Sequence, residues 1–172
     1  MPQSSSFFAK DDTLKTVTDF ICGRPNSPET KSQKYKRDYH QRCISADVIT
    51  KMAKKLSNID EQQFASFEDL WKHVSIHRIK GFSDLCVYDF CLRYGINRNI
   101  YPLKKVYLHA GAMKGAKSLY RMGLLKSKPQ NQSIDIDHFP PDFEVFDSMN
   151  IENFLCVKHR QLQKLEKAMS TK

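Results

Sequence analysis

Across residues 90–134 the chain carries no Asp or Glu, while Arg93, Arg98, Lys104, Lys105, Lys114, Lys117, Arg121, Lys126 and Lys128 supply nine fixed cations. Lys114, Lys117 and Arg121 are spaced by three and four, so a helix through them places all three on one side. Cations in such a row donate hydrogen bonds to phosphate oxygens and release the counterions of a polyanion. Gly111, Ala112, Gly115 and Ala116 are interleaved with them, and residues this small let a phosphodiester or another helix approach the backbone. His109, just before this stretch, could serve as a proton carrier at neutral pH, or contact phosphate when protonated. Ser83 and Asp89 offer a nucleophile and an acid, but no spacing ties them to His109. His73 and His77, four apart, would share a helix face and could hold one metal ion, yet no third ligand lies nearby in sequence. Five cysteines without a CxxC pair argue for reduced thiols acting as small core residues, and neither a metal nor another cofactor is expected.

The elements that must position these groups read as helices. Asp11 and Asp12 open a first helix that Gly23 and Pro25 stop, with Leu14, Val17, Phe20 and Ile21 on its apolar face. Ser27-Pro28-Glu29 starts a polar segment to Arg42 carrying Tyr35 and Tyr39 four apart. Ser45 precedes Val48, Ile49, Met52, Ala53 and Leu56, and Ser66 precedes Phe67, Leu70, Trp71 and Val74, each at helical spacing. Further helices are expected over about 85–94, 111–122 and 151–169, the last with Phe154, Leu155, Leu162 and Leu165 on a common side. Residues 106–108 are too short a run to read as a strand, and 126–136 read as a polar connector. With no repeat and no sustained alternation, the expected fold is all-α, with a flexible stretch at 1–10 and one domain over 11–172.

At 172 residues, 40% apolar and 27% charged, the chain can bury a core and is neither collagenous nor wholly disordered. No run approaches a bilayer span of about 20 apolar residues, and the first nine residues do not form a secretory leader, so an intracellular protein, cytoplasmic or nucleoid-associated, is expected. The net charge of +9 favours polyanionic partners, nucleic acid first and an acidic protein second, without a membrane. Residues 134–152 reverse that polarity with Asp135, Asp137, Asp142, Glu144, Asp147 and Glu152 and no Lys or Arg; they either pair with the basic helices or face away from nucleic acid. Phe82, Tyr94, Tyr101, Tyr107 and Tyr120 stand near the basic segment as stacking candidates, although Phe82 and Tyr88 read as core residues.

Ile79-Lys80-Gly81-Phe82-Ser83-Asp84-Leu85, between two expected helices, resembles the helix-hairpin-helix element of DNA-repair proteins, whose turn runs apolar, variable, Gly, apolar, Gly. Gly81 and Phe82 match, and Ser83 stands at the second glycine. The resemblance implies that backbone N–H groups over Lys80, Gly81, Phe82 and Ser83, together with the start of the next helix, hold a DNA phosphate. In helix-hairpin-helix DNA glycosylases a catalytic aspartate precedes a glycine and a basic helix; here His109 takes the comparable place, 28 residues after Gly81. Leu85 stands near the position of the lysine found in lyase-type members. The resemblance therefore implies a DNA-binding scaffold over residues 66–123 rather than the glycosylase chemistry, because histidine cannot supply the anion that stabilises a positive sugar.

The resulting expectation is a protein that binds nucleic acid, DNA foremost, through the backbone of residues 80–83 and the cations Lys104, Lys105, Lys114, Lys117 and Arg121. Two alternatives stand beside it. One is a glycosylase or other nucleic-acid enzyme using His109 and Asp89; the other is a basic adaptor whose partner is an acidic protein.

Overall fold

The computed structural model describes residues 17–22, 44–130 and 132–171, and the chain divides into two compact units between Tyr101 and Pro102. Among the described residues the fold is mostly helical with one small antiparallel sheet. The polar segment around Tyr35 and Tyr39, the start of the first expected helix and Cys43 lie outside the described residues.

In the first unit residues 17–22 are helical, with Val17, Phe20 and Ile21 buried as their spacing predicts. Helices α1 (Ala46–Lys55), α2 (Phe67–Ile76) and α3 (Asp84–Ile96) follow. Each begins at a serine that caps it: Ser45 accepts from the Val48 N–H, Ser66 from Asp69 and Ser83 from Cys86. Ser66 also donates to the Asp69 carboxylate at 2.8 Å. Helix α3 is wrapped by protein, with Cys86, Val87, Tyr88, Phe90, Cys91 and Tyr94 all buried. Burial of such a large apolar side chain stabilises by about 1.5–3 kcal/mol. The Tyr94 hydroxyl donates to Asp60 at 2.8 Å, and the Arg98 guanidinium both pairs with Asp60 and sits 3.7 Å over the Tyr94 ring. Burial, reinforced by the Asp60 hydrogen bond, holds the Tyr94 phenol well above the usual tyrosine range.

The second unit holds β1 (Lys105–Tyr107), α4 (Ala110–Arg121), β2 (Ser133–Asp135) and α5 (Ser148–Ser170), with 3₁₀ turns at Ile136–His138 and Pro141–Phe143. The two strands correct the all-α expectation. They pair antiparallel with Lys105 opposite Asp135, Val106 opposite Ile134 and Tyr107 opposite Ser133. Further bonds, Ile136 N–H to Lys104 and Leu108 N–H to Gln132, extend the ladder at both ends. Three residues are too few to show an alternating pattern, so the sheet is legible only through its buried pair, Val106 and Ile134.

Helices α4 and α5 make the core of this unit. A Cβ on Gly111 would stand 3.0 Å from the Cys156 sulfur, and one on Gly115 would stand 2.6 Å from the Leu155 carbonyl oxygen. Ala112 and Ala116 are buried in the same seam. The end of α4 falls where its glycine predicts: Gly123 adopts φ +73°, and the Leu124 N–H returns to the Leu119 carbonyl at 2.9 Å. Helix α5 starts three residues earlier than expected because Asp147 caps it, accepting from the Asn150 N–H at 2.7 Å. Its expected apolar side also needs correction. Leu155 and Leu162 are buried, whereas Phe154 and Leu165 are exposed, since at 3.6 residues per turn those two fall on another face.

Candidate functional site

The turn between α2 and α3 is built around Gly81, whose φ of +93° is a left-handed conformation that glycine adopts without strain. The Phe82 N–H donates to the Ile79 carbonyl at 3.1 Å, closing the turn, and the Phe82 ring is buried beneath it. Lys80 and Gly81 are exposed. Ser83, where the resemblance has its second glycine, takes φ −73° and ψ 167°, so the position carries no left-handed strain. Its hydroxyl instead accepts from the Cys86 N–H at 3.3 Å, and its carbonyl accepts from Val87. Asp84 in the first turn of α3 pairs with Arg78. Residues Arg78 to Asp84 together line an open concavity of about 510 Å³.

That geometry divides the expected phosphate donors. The Phe82 N–H closes the turn, the Cys86 N–H is capped by Ser83, and the Asp84 carboxylate places a negative charge at the α3 N-terminus. Cationic character at the mouth comes from Lys80, with Arg78 held to Asp84.

In the second unit Lys114, Lys117 and Arg121 are all exposed on α4. The small residues between them do not form part of that exposed surface: of the two approaches that Gly111, Ala112, Gly115 and Ala116 permit, a packed helix takes the place, and it is α5. Arg121 reaches Glu166 at 3.1 Å, and Ser118 donates to the same carboxylate at 2.7 Å. The Ser118 hydrogen bond, helped by Arg121, holds the Glu166 carboxyl below its usual range. Lys104 and Lys128 are exposed and Lys105 is half-buried.

Other members of the cation series serve the fold. Arg93 donates to the Phe20 carbonyl at 3.2 Å and faces Asp89 at 4.0 Å; Arg98 is held by Asp60 and Tyr94. Lys126 donates through its ammonium to the Asp137 carbonyl at 2.7 Å. Asp89 thus belongs to an ion pair within the first unit. His109, the N-cap residue of α4, belongs to the second, with its Nε2 3.7 Å from Glu152. Ser83 joins neither of them; it caps α3.

Among the stacking candidates Phe82, Tyr94 and Tyr107 are buried, while Tyr101 and Tyr120 are exposed. His73 and His77 do meet, with ring centroids 4.6 Å apart and Phe64 edge-on to His73. Desolvation, with the neighbouring His77, lowers the His73 pKa. One group that sequence reasoning missed is Asp135, Asp137 and His138, whose potential ligand atoms lie within 4.8 Å of one another. The His138 Nδ1 is 2.7 Å from the Ser127 hydroxyl. The signal was Asp-x-Asp-His itself, whose two aspartates were read only as members of the acidic stretch 134–152.

Compared with known protein families, characterised proteins and solved structures, the chain matches none.

Proposed function

We propose that this protein binds nucleic acid through its phosphates, with Lys114, Lys117 and Arg121 of α4 as the principal contacts. The supporting observation is the division of α4 into two faces. Its glycines and alanines pack on α5, while its cations stand exposed on the remaining surface, with no acidic residue in the first turn. Such an arrangement provides sequence-independent phosphate binding. The turn at residues 79–83 is a separate contact in the first unit, made by Lys80 and the exposed Gly81 backbone, with Phe82 supporting it from below and Ser83 fixing the start of α3. Lys104 and Lys105 add charge beside the sheet. That the polyanion is DNA rests on the helix-hairpin-helix resemblance of residues 79–85. No reaction is assigned to His109 or Asp89 in this reading, because each has a carboxylate or guanidinium neighbour in its own unit.

The test is a fluorescence-anisotropy titration of labelled duplex and single-stranded DNA over a range of salt. For the triple substitution Lys114→Gln, Lys117→Gln and Arg121→Gln, binding weakens and the log–log salt slope on duplex falls by about 0.9 for each phosphate that the variant no longer neutralises. Lys80→Gln, measured separately, weakens binding to a smaller extent. An unchanged slope in the triple variant removes α4 from the interface. Absence of DNA binding at physiological salt, with capture of an acidic protein instead, replaces this reading with the adaptor.

A further inference from the structure

Beside its core, onto which Phe143 packs, the second unit carries an exposed apolar ridge. Phe143 lies at its centre, with ring centroids 6.4 Å from Phe146 and 5.6 Å from Phe154, and is anchored below by Phe139 at 5.6 Å. Phe139 is buried, but Phe146 is 50% exposed and Phe154 40%. Val145, beside Phe146, is 82% exposed, and Val157, one turn beyond Phe154 on α5, is 64% exposed. The platform is fixed by backbone bonds, Phe143 to Pro140, Glu144 to Pro141 and Phe146 to Phe143, and by the Asp147 cap of α5. A contiguous exposed apolar patch on a fixed platform is the usual mark of a docking surface.

The charges around it select the occupant. Residues 134–152 contain six carboxylates and no Lys or Arg, in a chain whose net charge is +9. Asp142, Glu144 and Asp147, all exposed, stand in sequence on either side of Val145 and Phe146. An anionic rim disfavours nucleic acid and anionic lipid. It also disfavours a symmetric pair of copies, since a two-fold contact would set the same carboxylates against each other. The matching partner has apolar anchors along one face and cations flanking them.

We propose that the ridge formed by Phe143, Phe146, Phe154, Val145 and Val157 docks a cationic amphipathic helix of a partner protein, with Asp142 and Glu144 facing its lysines or arginines. This is independent of phosphate binding by α4 and would stand if that reading failed.

The probe is a fluorescein-labelled synthetic peptide of about 18 residues, with leucines at helical i, i+3, i+4 and i+7 spacing and lysines elsewhere, titrated with the 172-residue chain. A composition-matched scramble and a version with glutamate for lysine serve as controls. The patterned lysine peptide binds, and both controls bind at least about tenfold more weakly, as expected when anchors and rim charges act together. Val145→Ser with Phe146→Ser, both at exposed sites, weakens binding by a similar factor while leaving the circular dichroism spectrum unchanged. Asp142→Asn with Glu144→Gln weakens binding and reduces its salt dependence, whereas Lys114→Gln with Lys117→Gln leaves peptide binding intact. Equal binding of the scramble, absence of binding, or indifference to the ridge substitutions overturns the proposal. So does a dimer in sedimentation equilibrium that Phe146→Ser dissolves, which would make a second copy the occupant.

Discussion

Gly115 of α4 lies so close to Leu155 of α5 that a β-carbon on it would stand 2.6 Å from the Leu155 carbonyl oxygen and 3.1 Å from the Leu155 Cα. The neighbouring atoms are helix backbone, which cannot rotate away as a side chain can. Gly111 repeats the close approach one turn earlier, 3.0 Å from both the carbonyl oxygen and the sulfur of Cys156.

In an exposed helix interior, replacing glycine by alanine stabilises by roughly 0.5–1 kcal/mol, because alanine loses less backbone entropy. At Gly115 the sign reverses. The added methyl forces α4 and α5 apart and strains the seam containing Ala112 and Ala116, so Gly115→Ala lowers stability by about 1–3 kcal/mol, the usual range for overpacking. Urea unfolding of the full chain measures it; a midpoint equal to or above that of the parent rejects the close-approach account. Because Lys114 and Lys117 flank this glycine, the same substitution also tests whether the cationic face depends on the α5 seam for its placement.

Much of this arrangement was legible in the sequence, and the remainder failed for identifiable reasons. The serines at 45 and 66 announced two helix starts because a capping side chain acts locally, within three residues of its partner, whereas Ser83, read as standing at the turn's second glycine, caps a third. The spacing of Lys114, Lys117 and Arg121 gave their common side for the same reason. What covers the small-residue side could not be read locally, since either a phosphate or a helix satisfies Gly-Ala-x-x-Gly-Ala, and the choice of α5 is tertiary. The roles of Arg93 and Arg98 were likewise hidden: their partners include Phe20 and Asp60, far away in sequence. The sheet escaped because three-residue strands carry no period.

Glu166 links the stability of the second unit to pH. Its carboxyl is held below the usual range by the Ser118 hydrogen bond and by Arg121, against a smaller opposing effect of desolvation. A carboxyl whose folded pKa is depressed contributes stability that is present above its unfolded value, about 4.3, and is lost as pH falls through the folded value. Stability of the parent protein therefore declines more steeply below about pH 4.3 than that of Glu166→Gln, which has no proton to take up at this site. Urea midpoints measured across the acid range give the comparison; parallel curves for the two proteins remove Glu166 from the acid response. The substitution also frees Arg121 from its carboxylate at 3.1 Å, so under the proposed phosphate-binding reading the variant binds DNA more tightly than the parent in the same anisotropy titration.

Gly81 joins two separable costs, a left-handed φ of +93° and a Cβ position 3.0 Å from the Val48 Cγ2. A non-glycine residue there is disfavoured by about 1–2 kcal/mol on backbone grounds alone. Crowding against Val48 adds to this, although a valine methyl can give by a few tenths of an ångström where helix backbone cannot. Gly81→Ala is accordingly destabilising by at least that backbone amount. Adding Val48→Ala relieves the crowding but not the dihedral strain, so a double-mutant cycle recovers only part of the destabilisation after Val48→Ala alone is subtracted. Full recovery would mean that crowding, rather than the left-handed turn, is what requires glycine at this position. Loss of DNA binding by Gly81→Ala under conditions where it remains folded would tie the turn conformation itself to phosphate binding, independently of the α4 cations.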